Sequence, residues 1–220
     1  MTDASQLVAE TRTQLREVEE KLLSHRYLAA LEEARIPKEK LRLFAGEQYS
    51  IINSDLRSIA LLLNRQAFPS PDYLMGSLQA EAAARDALLA FARALGMNED
   101  DLRNYEPLPG CQAYAAYVSW LALYGSDADF AAAFLVNLPA WGANCARMTA
   151  ALKARYGFSP DDVAFFDLFA APAAEFEADS LRVIQSGLNR GIDPRGVRRT
   201  ARLIQAYELM YWDTLSEAST

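Results

Sequence analysis

The sequence predicts an all-α fold, a bundle of seven or eight helices in a single domain over residues 1–220. Three observations lead there. Apolar residues recur three and four apart along nearly the whole chain, which is the period of one helix face. Alternating apolar and polar runs joined by glycine hairpins, the mark of strands, do not occur. Proline, glycine and short polar clusters interrupt the apolar stripes where helices would start and stop.

In chain order, Val8, Leu15, Val18 and Leu22 form the stripe of a first helix. Pro37 followed by "KEK" makes the first turn of a second, which continues through Leu41, Phe44, Ile51, Ile52, Leu56, Ile59 and Leu63. "FPSPDY" (68–73) ends it and starts a third, buried through Leu74, Leu78, Leu88, Ala92 and Leu95 and stopped by Gly96. "YEPLPGC" (105–111) is a loop, and Tyr114, Tyr117, Val118 and Leu121 mark a fourth helix. A fifth runs from Asp127 to Tyr156. It contains Pro139 and Gly142, which cost a helix interior about 3 and about 1 kcal/mol. In "GFSPDD" (157–162) Ser159 is an N-cap and Pro160 a first helical residue. Pro172 bends or breaks the helix begun there, and "GIDPRG" (191–196) opens a last helix that reaches about Leu215.

Charge and composition remove several functions. A net charge of −7 opposes a nucleic-acid partner, which needs a concentrated basic face. The one basic cluster, "NRGIDPRGVRRTAR" (189–202), reads as a solvated surface. The amphipathic, charged "MTDASQLVAETRTQLREVEEKLL" is neither a signal peptide nor a membrane span, which predicts a cytoplasmic protein with no membrane partner. Cys111 and Cys145 do not suggest a disulfide framework. With His25 as the single histidine, and no Cys-x-x-Cys pair, neither a zinc site nor a di-iron centre is expected, and no cofactor. His25, near a helix boundary, reads as a hydrogen-bonded packing residue ahead of a haem ligand.

Polar residues on the inner stripes carry the functional signal. Gln48 and Asp55 interrupt the second helix seven residues apart, and Asn144 and Glu208 interrupt the fifth and last. Buried polar groups must pair, hold water or line a ligand cavity, because an unpaired buried charge is costly. Glu81 and Arg85 stand at i,i+4 spacing and read as a buried pair that stitches the third helix in place. Gln48, Asn144 and Glu208, walled by Trp141, Tyr207, Tyr211 and Trp212, read instead as a pocket for a small planar ligand between helices.

Three segments carry a family resemblance. "HRYLAALEEARIPKEKLRLFAGEQY" (25–49), "NLPAWGANCARMTAAL" (137–152) and "AYELMYWDTL" (206–215) resemble, in order, motifs of the TenA/THI-4 (thiaminase II-like) family, which has the haem-oxygenase-like helical fold. The resemblance implies a thiamin-metabolism-related small-molecule site, a homodimer or homotetramer, and an irregular fifth helix in which Pro139 redirects the chain. It also implies where the chain diverges. Ala140 holds the position of the family's nucleophilic cysteine, Gln48 that of its pyrimidine-binding aspartate, and Ile51 and Asn144 those of two tyrosines. Leu88 and Ala146 stand where di-iron relatives carry ligands. The terminal-helix glutamate is kept as Glu208, the candidate acid/base.

Together the residues and the resemblance give a ligand wall of Gln48, Ile51, Asp55, Ala140, Trp141, Asn144, Tyr207 and Tyr211 around Glu208. The chemistry expected there is metal-independent, hydrolase-like cleavage of a small heterocycle without the family's cysteine. The alternatives are a non-catalytic binding or regulatory protein, and a cofactorless or haem-dependent oxygenase of the same fold.

Overall fold

The structure is a computed structural model that describes residues 3–65, 70–170 and 175–219. Among the described residues there are eleven α-helices and no strand. The excess over seven or eight comes from four short helices, α2 (Arg16–Leu23), α3 (Arg26–Glu32), α6 (Glu99–Arg103) and α9 (Ala164–Ala170), whose five to eight residues are too few to display a stripe.

Where one first helix is expected, the chain builds three: α1 (Ala4–Gln14), α2 (Arg16–Leu23) and α3 (Arg26–Glu32). Leu15 leaves helical geometry at φ −95°, ψ 4°. His25 is extended, and its Nδ1 accepts the Tyr27 N–H at 3.2 Å, so the histidine caps α3. Pro37 precedes a short 3-10 turn at Lys38–Lys40, and α4 (Leu41–Arg65) comes next. Most of the "FPS" break lies outside the described residues, but α5 (Pro71–Ala94) does begin with proline in its first turn. Gly96, at φ +71°, lies just past its end.

Residues 98–103 hold a helix that periodicity missed, α6 (Glu99–Arg103). Asn98 and Asp101 bond reciprocally to each other's N–H as a capping box. The helix α7 (Pro109–Tyr124) starts within the expected loop. The long α8 (Asp127–Tyr156) has the expected bounds, set by a Ser126–Asp129 capping box and by left-handed Gly157. Ser159 exchanges hydrogen bonds with Asp162 ahead of a 3-10 turn and α9 (Ala164–Ala170). The expected break at Pro172 lies outside the described residues. α10 (Phe176–Asn189) and α11 (Pro194–Ser219) complete the chain.

α8 is the central element and packs against α3, α9, α10 and α11, while α4 packs against α5 and α7. An aromatic nucleus lies in the main core. Phe44 sits 5.2 Å from Phe166 and 6.2 Å from Phe91, and Trp141 sits 5.5 Å from Trp212. No helix among the described residues is long and apolar enough to cross a membrane.

Pro139 does not end α8, which continues as one helix on both sides of it. The missing N–H would have bonded the Leu135 carbonyl four residues back. That oxygen accepts from Arg12 of α1 at 3.1 Å, and the next one, on Val136, accepts from Gln205 of α11 at 3.2 Å. Gly142 serves packing: a Cβ there would lie 2.5 Å from the Phe169 carbonyl, so only glycine lets α9 approach this closely.

Candidate functional site

One cavity of about 50 Å³ lies between α4, α5, α7, α8, α9 and α11. α4 contributes Gln48, Ile51, Ile52 and Asp55, which share one face because they fall at i, i+3, i+4 and i+7. Glu208 and Tyr211 come from α11, and Glu81, Tyr114 and Phe169 come from α5, α7 and α9. α8 supplies Phe134, Asn137, Leu138 and Trp141. Phe169, Leu138, Glu81 and Tyr114 are half-buried, so the wall they form is the one nearest solvent.

Glu208 sits in a hydrogen-bonded relay. Its Oε1 accepts from the Trp212 indole N–H at 3.1 Å and its Oε2 from the Asn137 amide. Asn137 in turn accepts from the Tyr114 hydroxyl at 3.1 Å, and its amide also reaches Gln205 at 3.3 Å. Burial raises the Glu208 pKa to about 7, while the bonds from Trp212 and Asn137 pull it down. A carboxyl poised near neutrality can both take and return a proton.

Two more carboxyls face the same space. Asp55 is 3% exposed, and its Oδ1 has no hydrogen-bond partner. Burial first, and the charge of Glu81 second, hold its pKa well above the usual carboxylate range. Desolvation raises Glu81 to about 7. The Tyr114 phenol is pushed up by burial and then by the charges of Asp55, Glu208 and Glu81, so all three carboxyls act on one group. The lining includes no lysine, arginine or histidine. Among the described residues, no three His, Cys, Asp or Glu side chains are grouped to hold a metal ion.

Of the residues expected at the site, Gln48, Ile51, Asp55, Trp141, Glu208 and Tyr211 line the cavity together, and Gln48 donates to the Tyr211 hydroxyl at 2.9 Å. Ala140, Asn144 and Tyr207 do not line it. Ala140 lies one residue before Trp141, about 100° around the helix, and is buried in the core. Asn144 has nearly the phase of Asn137 but sits roughly 10 Å further along the axis. There it donates to the Leu22 carbonyl at 3.2 Å, at the end of α2. Tyr207 turns toward α7, its ring 5.0 Å from that of Tyr117.

The expected Glu81–Arg85 pair is also corrected: Arg85 bonds Asp86 at 3.1 Å, leaving Glu81 to the cavity. Glu81, read from the sequence as half of a structural pair, Tyr114, read as part of a helix stripe, and Asn137 also line the cavity, and Asn137 lies one turn before Trp141.

Neither thiol reaches the site. Cys145 is fully buried and its pKa is held well above the ordinary value by burial, then by Glu208 and Asp167. Burial, then Glu47, pushes Cys111 up as well. His25 Nε2 lies 3.1 Å from Asp213, and burial lowers its pKa despite that partner. With Nδ1 capping α3, both ring nitrogens are used in packing.

The family model described as TENA/THI-4/PQQC family matches residues 12–217. A TenA homolog from Pseudomonas syringae pv. tomato superposes with a TM-score of 0.83 at 13% identity, covering 98% of this chain and 96% of that one. A domain of unknown function with a haem-oxygenase-like fold, from Shewanella denitrificans, gives 0.74 at 14% identity over 99% and 93%. A candidate TenA-like thiaminase from Sulfolobus solfataricus P2 gives 0.69 at 12% identity over 100% and 98%. No curated protein matches the chain in sequence.

Proposed function

The chain belongs to the TENA/THI-4/PQQC family, and from that premise we propose that its cavity binds a small heteroaromatic ligand, with Glu208 as general acid/base of a metal-independent C–N hydrolysis. The observation that carries this reading is Glu208 itself: buried on the cavity wall, held by Asn137 and Trp212, with a pKa near 7. The likeness to a candidate TenA-like thiaminase supports the reaction class.

The step needs no thiol. Water displaces the nitrogen from the carbon that bears the ring: its oxygen bonds to that carbon as the C–N bond breaks, and its proton passes to the Glu208 carboxylate. The Glu208 carboxyl then returns that proton to the departed nitrogen. General acid/base help of this kind contributes about 10²- to 10⁴-fold. Asn137 and Trp212 keep the carboxyl in place through both transfers.

Size sets a condition. A dry cavity of about 150 Å³ accepts benzene, three times the space present here. A ring therefore enters by displacing the half-buried Phe169 and Leu138 on the solvent side. The same reading expects a cytoplasmic homodimer or homotetramer, which light scattering of the purified protein would check.

Thiamin and aminopyrimidines are the substrates to assay. Glu208→Gln should lower turnover by about 10²- to 10⁴-fold while the fold is kept, with wild-type activity centred near the Glu208 value. Full turnover by that variant would sink the proposal, as would failure of every such heterocycle to shift the melting temperature. A second reading, a binding protein without chemistry, is favoured by the two buried, hard-to-ionise thiols. Mass spectrometry showing any bound compound converted would rule it out.

A further inference from the structure

We propose that Asp55 and Glu81 form a receptor for a protonated amine, so that the ligand bound beside Glu208 carries an ammonium or amidinium group. This rests on the reading of the cavity as a ligand site, and adds to it the charge of what binds.

The argument starts from an oxygen without a partner. Asp55 is almost wholly buried, lines the cavity, and has an Oδ1 that bonds to nothing. Glu81 faces the same space from a different helix, close enough that its charge disfavours ionisation of Asp55. Two carboxyls brought together by separate helices, with no basic residue in the lining, leave an acidic hollow that the protein itself does not neutralise. The nearest arginine on α5, Arg85, is held by Asp86. A cation from outside would complete the set, and an N–H donor would satisfy the orphaned oxygen through a charge-assisted bond.

The size agrees. About 50 Å³ is room for one or two groups the size of water, each of which takes about 30 Å³ in the liquid, so an ammonium head fits without rearrangement. Trp141 and Tyr114 line the same cavity, and aromatic rings of this kind favour a cation.

Other titratable groups facing the pair are Glu208 and Tyr211 of α11 and Tyr114 of α7, while α8 and α9 contribute none to the lining. Ionisation of the pair therefore competes only with other acids, and amine binding should strengthen as pH rises.

Benzylamine and benzyl alcohol test this, being alike in size and different in charge. Calorimetric titration at pH 8 should show benzylamine binding at least tenfold more tightly, the ratio shrinking toward one at pH 5.5. Asp55→Asn with Glu81→Gln should erase the preference while keeping affinity for the alcohol, and Glu208→Gln should keep the preference. Asp55→Asn alone, checked by circular dichroism, covers the case in which the double variant misfolds; it should cut the preference severalfold. Equal binding of the two probes by the wild type overturns the inference but leaves the ligand cavity standing. Loss of the preference in Glu208→Gln alone also overturns it, and binding of neither probe removes both readings.

Discussion

Asp127 and Asp55 are both buried aspartates, and the molecule surrounds them differently. Asp127, at the start of α8, is 0% exposed, and Arg190 grips its two oxygens at 2.6 and 2.8 Å. The Ser70 hydroxyl donates to it at 2.6 Å and the Ala128 N–H at 2.8 Å. Asp55, inside the bundle, has a second acid for a neighbour, an unbonded oxygen and no arginine. A carboxylate that only holds helices together is given its cation and its donors. Asp55 is left short of both, on the wall of a cavity.

The comparison can be broken most readily at the satisfied end. Arg190→Ala should cost about 3 kcal/mol in urea unfolding, the low end for breaking a buried pair because Arg190 is itself partly exposed. If Asp55→Asn cost as much, the contrast would fail. Gly142→Ala comes next: its Cβ would push on the Phe169 backbone, and overpacking of this kind costs about 2 kcal/mol. An unchanged melting temperature would show that α9 yields freely.

The unsatisfied end makes a prediction of opposite sign. Asp55, Glu81 and Glu208 all bind protons more tightly folded than unfolded. The stability linked to them is fully present below about pH 4, the unfolded value, and is lost as pH rises through 7. Wild type should thus unfold more easily at pH 8 than at pH 5.5. Asp55→Asn should gain about 1 kcal/mol at pH 8 and nothing at pH 5, since a neutral amide escapes the ionisation penalty. A gain equal at both pH values would disconnect the aspartate from the titration. The smallest effect is expected at Asn144, where alanine removes one bond to the Leu22 carbonyl. About 0.5–1 kcal/mol of stability should go with it, with benzylamine affinity unchanged.

How much was legible in the sequence depends on what helical spacing encodes. The bounds of α8 were readable, because Ser126, Asp129 and Gly157 are local signals that act where they stand. Phase also brought Gln48, Asp55, Trp141, Glu208 and Tyr211 to one cavity, since each sits on its helix's inner face. Phase does not state height along the axis, so Asn144 was expected at a wall that ends at Trp141, three residues before it. Nor does it state which neighbour a face meets, so Tyr207 was expected beside Glu208 but faces Tyr117. Glu81 was assigned to Arg85 because i,i+4 spacing allows the pair. The arginine's reach to Asp86 depends on a rotamer that spacing leaves undetermined.

Pro139 has a consequence for how the molecule opens. The one carbonyl it orphans, on Leu135, is served by residue 12, and the next one, on Val136, accepts an additional bond from residue 205, near the opposite end of the chain. The Leu135 carbonyl in the middle of α8 therefore keeps its partner only while α1 is docked, and α11 adds a second tie one residue on. Local opening at either end of the chain exposes this one segment, which ties distant parts into a single cooperative unit. Gln205 also contacts Asn137, the residue that holds Glu208. Fraying at the termini would thus reach the carboxyl through two hydrogen bonds, and amide exchange around residues 135–142 would report it before any loss of bulk helix.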